Sequence, residues 1–142
     1  MMIRFRKRAS QPRRAAVAME AALVFPIFVL LVFGAVEVGM SLMACNVLAS
    51  AARHGARTGS VRGSTNTTVS TAMNNILSTA GITGTTTTIK VNGNTANVSS
   101  AVTGDEIRVT VSVPFSHVSP FAGSFVISQT APISRTVIMR HE

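Results

Sequence analysis

The sequence predicts an α+β protein in which a long N-terminal membrane-crossing helix continues into a small exported domain. That domain holds one short helix and an antiparallel sheet. Three observations carry the prediction. Between Ala15 and Cys45 the only charged side chains are Glu20 and Glu37. Apolar residues then recur with helical spacing from Val69 to Ala80, and with strict alternation from Ile107 to Phe115.

The chain has 142 residues, enough for one domain at most, and part of that length is visibly not globular core. It is 46% hydrophobic and only 13% charged, with a net charge of +8. Such a balance suggests nucleic acid or an anionic membrane surface as partner, and position decides between them. Arg4, Arg6, Lys7, Arg8, Arg13 and Arg14 precede the apolar segment, and Arg53, Arg57 and Arg62 follow it. Beyond Gly63 there are four basic and three acidic residues, so the C-terminal part is nearly neutral and a nucleic-acid partner is not expected. Cys45 is the single cysteine, so no internal disulfide can form.

Residues 21–36 form an uncharged run of sixteen, with Leu23, Phe25, Phe28, Leu30, Phe33 and Gly34 in its core. A helix needs ~20 residues to cross a bilayer. Reaching Met43 takes in Glu37, at roughly 2.5–3.5 kcal/mol if central and less near an interface. The Leu, Val, Ile and Phe residues each return a few tenths of a kcal/mol, and the sum favours insertion. Pro26 removes one backbone bond and should bend the helix near its inner end. The basic flank before the span keeps the N-terminus cytoplasmic and translocates the C-terminal part.

Glu37 shares a helix face with Gly34 and Ser41, which suits helix–helix contact in lipid. Alternatively, its carboxylate reaches headgroups or water at the outer interface. A cleaved signal peptide, with Leu48-Ala49-Ser50-Ala51 as the cut, fits poorly because its apolar region would contain a glutamate. A lipobox at Leu42-Met43-Ala44-Cys45 is spoiled by Met43 and by Glu37, Gly39 and Ser41 before it.

The string from Arg13 to Glu20 followed by AALVFP, then Phe33 to Gly39, resembles the TadE-like family. These are pseudopilins, or minor pilins, of the tight-adherence (Flp) pilus system. The block Asn46 to Gly59 and the ending Met139 to Glu142 are similar to that family's juxtamembrane helix and terminus. The resemblance is close over the N-terminal 60 residues and loose beyond them. It implies a pilin-like fold and cleavage by a prepilin peptidase between Ala15 and Ala16. The basic leader 1–15 would be removed and Glu20 would become the fifth mature residue. Ala15 departs from the family's usual Gly before the cut, and Ala21 from the aromatic residue often found after the glutamate. In pilins this glutamate meets the N-terminal amine of a neighbouring subunit and sets its register. A carboxylate matched to an amine offsets much of its burial penalty, which gives Glu20 a physical reason for that place. Glu20 could instead simply mark the helix start at the cytoplasmic interface. The implied partners are the bilayer, other pilins or pseudopilins, the pilus assembly platform and the prepilin peptidase. The implied location is the bacterial inner membrane, single-pass, with a periplasmic C-terminal domain free to enter an extracellular pilus.

The chain therefore divides into a leader (1–15), a transmembrane and juxtamembrane helix (16–59) and an exported domain (60–142). The alanine-rich stretch Ala44 to Gly59 has no breaker before Gly55, so the helix should continue out of the membrane. Arg53 and Arg57, four apart, share a face that is either solvated or partner-facing. Val69, Ala72, Met73, Ile76, Leu77 and Ala80 make an amphipathic helix that Gly81 is placed to end. Residues 85–91, an Asn92-Gly93 turn and residues 95–102 read as a hairpin with a weak second arm. Glu106 to Phe115 is the clearest strand. Residues 125–133 and 134–140 give one or two more, interrupted at Pro132.

No site for catalysis or for a cofactor emerges. His54, His117 and His141 are far apart and lack acidic or cysteine partners at ligand spacing. Asp105-Glu106 has a turn position before a strand. A structural pilus component is the leading reading. A single-pass or lipidated envelope binding module is the alternative.

Overall fold

The computed structural model describes residues 11–119 and 127–142, with side chains from Ala15 onward. Most of the basic leader, and Phe125 and Val126 of the expected third strand, lie outside the described residues. The first helix, α1, spans Gln11–Ser60 and contains Pro26. Its 50 residues reach about 75 Å at 1.5 Å per residue. Gly55 does not end it. A Cβ at Gly55 would stand 2.5 Å from Met73 Sδ, so the glycine allows the second helix to lie close.

That helix, α2, spans Asn66–Thr79 and starts at Thr65, whose hydroxyl accepts the Thr68 N–H while Thr68 reciprocates to the Thr65 backbone. Two otherwise orphaned donors are satisfied by this box. Val69, Met73 and Leu77 of the predicted stripe are buried. Gly81, at φ +71°, closes the helix, with the Ile82 N–H reaching Leu77 O at 2.9 Å.

Three antiparallel strands follow, β1 (Thr86–Val91), β2 (Glu106–Pro114) and β3 (Pro132–Arg140), in the order β1-β2-β3. Ile107, Val109, Val111 and Val113 of β2 are completely buried, as the alternation requires. Burial of each contributes roughly 1.5–3 kcal/mol.

Two expectations for the sheet need correction. The second arm of the predicted hairpin is not a strand: after an isolated bridge from Val91 to Asn94, the chain forms a short 3₁₀ turn at Val98–Ser100. Asparagine side chains account for the change. Asn92 Oδ1 accepts the Glu106 N–H at 2.9 Å, Asn66 Oδ1 accepts the Val98 N–H at 2.9 Å, and Asn97 caps the turn. Local side-chain bonds thus replace a ladder, bury Val98 and give β1's pairing edge to β2. Pro132 does not interrupt a strand either. It begins β3 opposite Pro114, a position where the missing N–H is tolerated.

The core is shared. Leu48, Ala51, Ala52 and Ala56 of α1 pack with Met73 and Leu77 of α2 and with the inner face of β2. The upper half of α1 is therefore also the central core helix of the folded C-terminal part. Its alanines and glycines let both α2 and the sheet approach closely.

Candidate functional site

The lower half of α1 has a different environment. Leu23, Phe25, Phe28 and Leu30 are exposed, at 71%, 66%, 59% and 55%, and Pro26 is exposed with them. The apolar window of this helix has a mean hydropathy of 2.5 and only 11% of it is buried. No soluble core hides these side chains. One helix among the described residues is long and apolar enough to cross a membrane. Such a surface is stable only when covered by lipid or by other apolar helices.

Exposure ends abruptly at the face that the sequence singled out. Phe33 is half-buried, Gly34 is buried, Glu37 is completely buried and Ser41 is half-buried. The same stripe continues through Ala44 and Leu48 into the core. From Ala16 to Val36 the helix rises about 30 Å, the thickness of the hydrocarbon core. Glu37 therefore sits where a spanning segment would end.

The Glu37 carboxylate does not extend into solvent. Its Oε2 accepts the backbone N–H of Ile127 at 3.1 Å, across 90 residues of sequence. This bond ties the connection between β2 and β3 to α1. A carboxylate is the acceptor best suited to this place, because charge-assisted bonds to backbone N–H are about twice as strong as neutral ones. The sequence marked Glu37 as face-defining, but the Ile127 amide carried no signal, since any residue can supply a backbone N–H.

The remaining predicted residues are not brought together. Ala15, Ala16 and Glu20 lie on the exposed lower helix, and Glu20 has no hydrogen-bond or ionic partner among the described residues. Arg53 and Arg57 are both exposed near the top of α1. Cys45 is half-buried in mid-helix. The three histidines stay apart: His54 is exposed on α1, His117 lies against Gly84, and His141 is buried near the C-terminal end. Among the described residues no three His, Cys, Asp or Glu side chains are grouped to hold a metal ion.

No curated protein and no solved structure matches the chain. The family model described as TadE-like protein does match, over residues 15–57, which take in the exposed span, Glu20, the Glu37 seat and the core half of α1. Over that segment the resemblance read from the N-terminal sequence is shown, and the match is to the TadE-like protein family.

Proposed function

We propose that this chain is a pseudopilin or minor pilin of a tight-adherence pilus, anchored in the inner membrane and acting through α1. The family match points to a protein associated with that pilus system. The observation that carries the finer reading is the division of α1. Its lower half is an uncovered apolar rod bearing Glu20, and its upper half is locked into a folded domain. A helix of this kind can move from lipid into a bundle of like helices without refolding the domain, since either environment covers its apolar surface. After cleavage before Ala16, the new amine and the Glu20 carboxylate would be the charged groups of that rod, available to pair between subunits.

A lipidated module attached through Cys45 has less support. Cleavage there would discard Glu37, whose Oε2 accepts the Ile127 N–H of the β2–β3 connection.

N-terminal sequencing of the membrane-extracted protein tests the reading. A chain beginning at Ala16, together with pilus assembly lost in Glu20→Ala, is the expected result. A chain that begins at Cys45 with a lipid, or assembly unchanged by Glu20→Ala, would overturn it.

A further inference from the structure

We propose that a basic groove at the top of α1 is a docking site for an acidic peptide segment of a partner protein. The groove lies between the last turns of α1 and the first turn of α2 and has a volume of about 470 Å³. His54, Arg57 and Arg62 line it, with the side chains of Thr58, Ser64 and Thr68, and no carboxylate is among the lining residues.

Three features make this more than a solvated basic stripe. Arg62 is held in place from behind, with Nη2 donating to Thr103 Oγ1 at 2.9 Å and Nε to Glu142 O at 3.2 Å. A guanidinium fixed in this way loses less freedom on binding. Neither His54 nor Arg57 spends a side-chain donor on an acceptor among the described residues, and the one ion pair found there, Arg108 with Glu106, is elsewhere. Finally, the groove takes in Thr68 in the first turn of α2, where the helix dipole adds a partial positive charge that favours anions.

The size and lining select the ligand class. A single oxyanion fills only a small part of this volume, whereas cations spread along a groove suit two or more carboxylates on one chain. No Phe, Tyr or Trp side chain lines it to stack a base or a sugar ring. Arg57 stands twenty helical residues beyond Glu37, about 30 Å past the end of the hydrocarbon core and roughly 20 Å past the headgroup layer. Lipid headgroups are therefore out of reach, a point that rests on the membrane placement of α1 proposed above.

The test uses the full chain in nanodiscs of neutral lipid, with fluorescence anisotropy of a labelled hexaglutamate peptide. Arg57→Glu and Lys90→Glu change the net charge equally, but Lys90 is on β1, opposite Arg108 and away from the groove. Saturable binding is expected, about tenfold weaker in Arg57→Glu and within about twofold of wild type in Arg57→Lys and Lys90→Glu. Equal weakening by Arg57→Glu and Lys90→Glu would overturn the proposal, because net charge alone would then explain binding. Absence of saturable binding would also overturn it, as would displacement by inorganic phosphate at matched ionic strength, which would indicate a small-oxyanion site. Failure here leaves the anchored pilin reading intact, since that reading is judged on the processed N-terminus and the Glu20 variant.

Discussion

Glu37→Ala should release the β2–β3 connection from α1 while the three strands remain paired. In the native chain the carboxylate is completely buried and accepts the Ile127 N–H at 3.1 Å. A hydrogen bond to a charged group contributes about 1.5–3 kcal/mol, and a buried donor left without an acceptor costs a similar amount. At about 1.4 kcal/mol per tenfold, that corresponds to roughly a ten- to hundredfold change in local opening. Amide hydrogen exchange of the full chain in nanodiscs reads this directly. The Ile127 amide should lose ten- to hundredfold protection in Glu37→Ala, whereas the Val109 and Val137 amides of the β2–β3 ladder keep theirs. Glu37→Gln keeps an acceptor oxygen without the charge, so it should fall between the two. Equal Ile127 protection in wild type and Glu37→Ala would refute the idea that this carboxylate seats the domain on its anchor.

Further expectations concern packing and pH. Gly55→Ala should destabilise the domain by about 1–2 kcal/mol despite alanine's helix propensity, because the new Cβ meets buried Met73. Gly39→Ala has nothing within 4 Å and should be neutral or stabilising, and thermal unfolding in detergent compares the two. Thr65→Ala removes the α2 cap and should cost about 1 kcal/mol, read as an earlier melting of α2 by circular dichroism. The Asp105 carboxyl is held below its ordinary value of 3.8, first by the Val102 N–H and then by the Asn92 side chain. Because its folded value is depressed, its stabilising contribution is full above pH 3.8 and fades as pH falls through the lowered value. Melting temperatures of wild type and Asp105→Asn should accordingly differ at neutral pH and converge under strong acid.

The parts of the fold that a reader of the sequence recovers are those with a period. Helix α2 follows from the Val69–Met73–Leu77 stripe, and β2 from the alternation that runs to Val113. The weak hairpin arm fails for a local reason. Residues 94–102 alternate poorly and carry asparagines, so Asn66, Asn92 and Asn97 determine the backbone there through individual hydrogen bonds. Such bonds depend on which segments meet, and no window of sequence contains that information. The candidate sites divide in the same way. Glu20 is conspicuous because a charge in an apolar run is costly wherever the chain folds. The basic groove is not, because Arg57 and Arg62 are joined by Ser64 and Thr68 only when α2 turns back along α1.

The sequence by itself determined that α1 would be long, apolar in its lower half and interrupted by two glutamates, since hydropathy and charge are properties of residues in order. It also placed both glutamates near the ends of a bilayer-sized span. Only the tertiary structure separated their surroundings. Glu20 stays exposed on the uncovered rod, whereas Glu37 is buried against the Ile127 amide. The physical reason is reach. A helical face shows which residues are available for contact, but the partner of Glu37 is a backbone group 90 residues away. The folding of the sheet onto α1 brings that group to it.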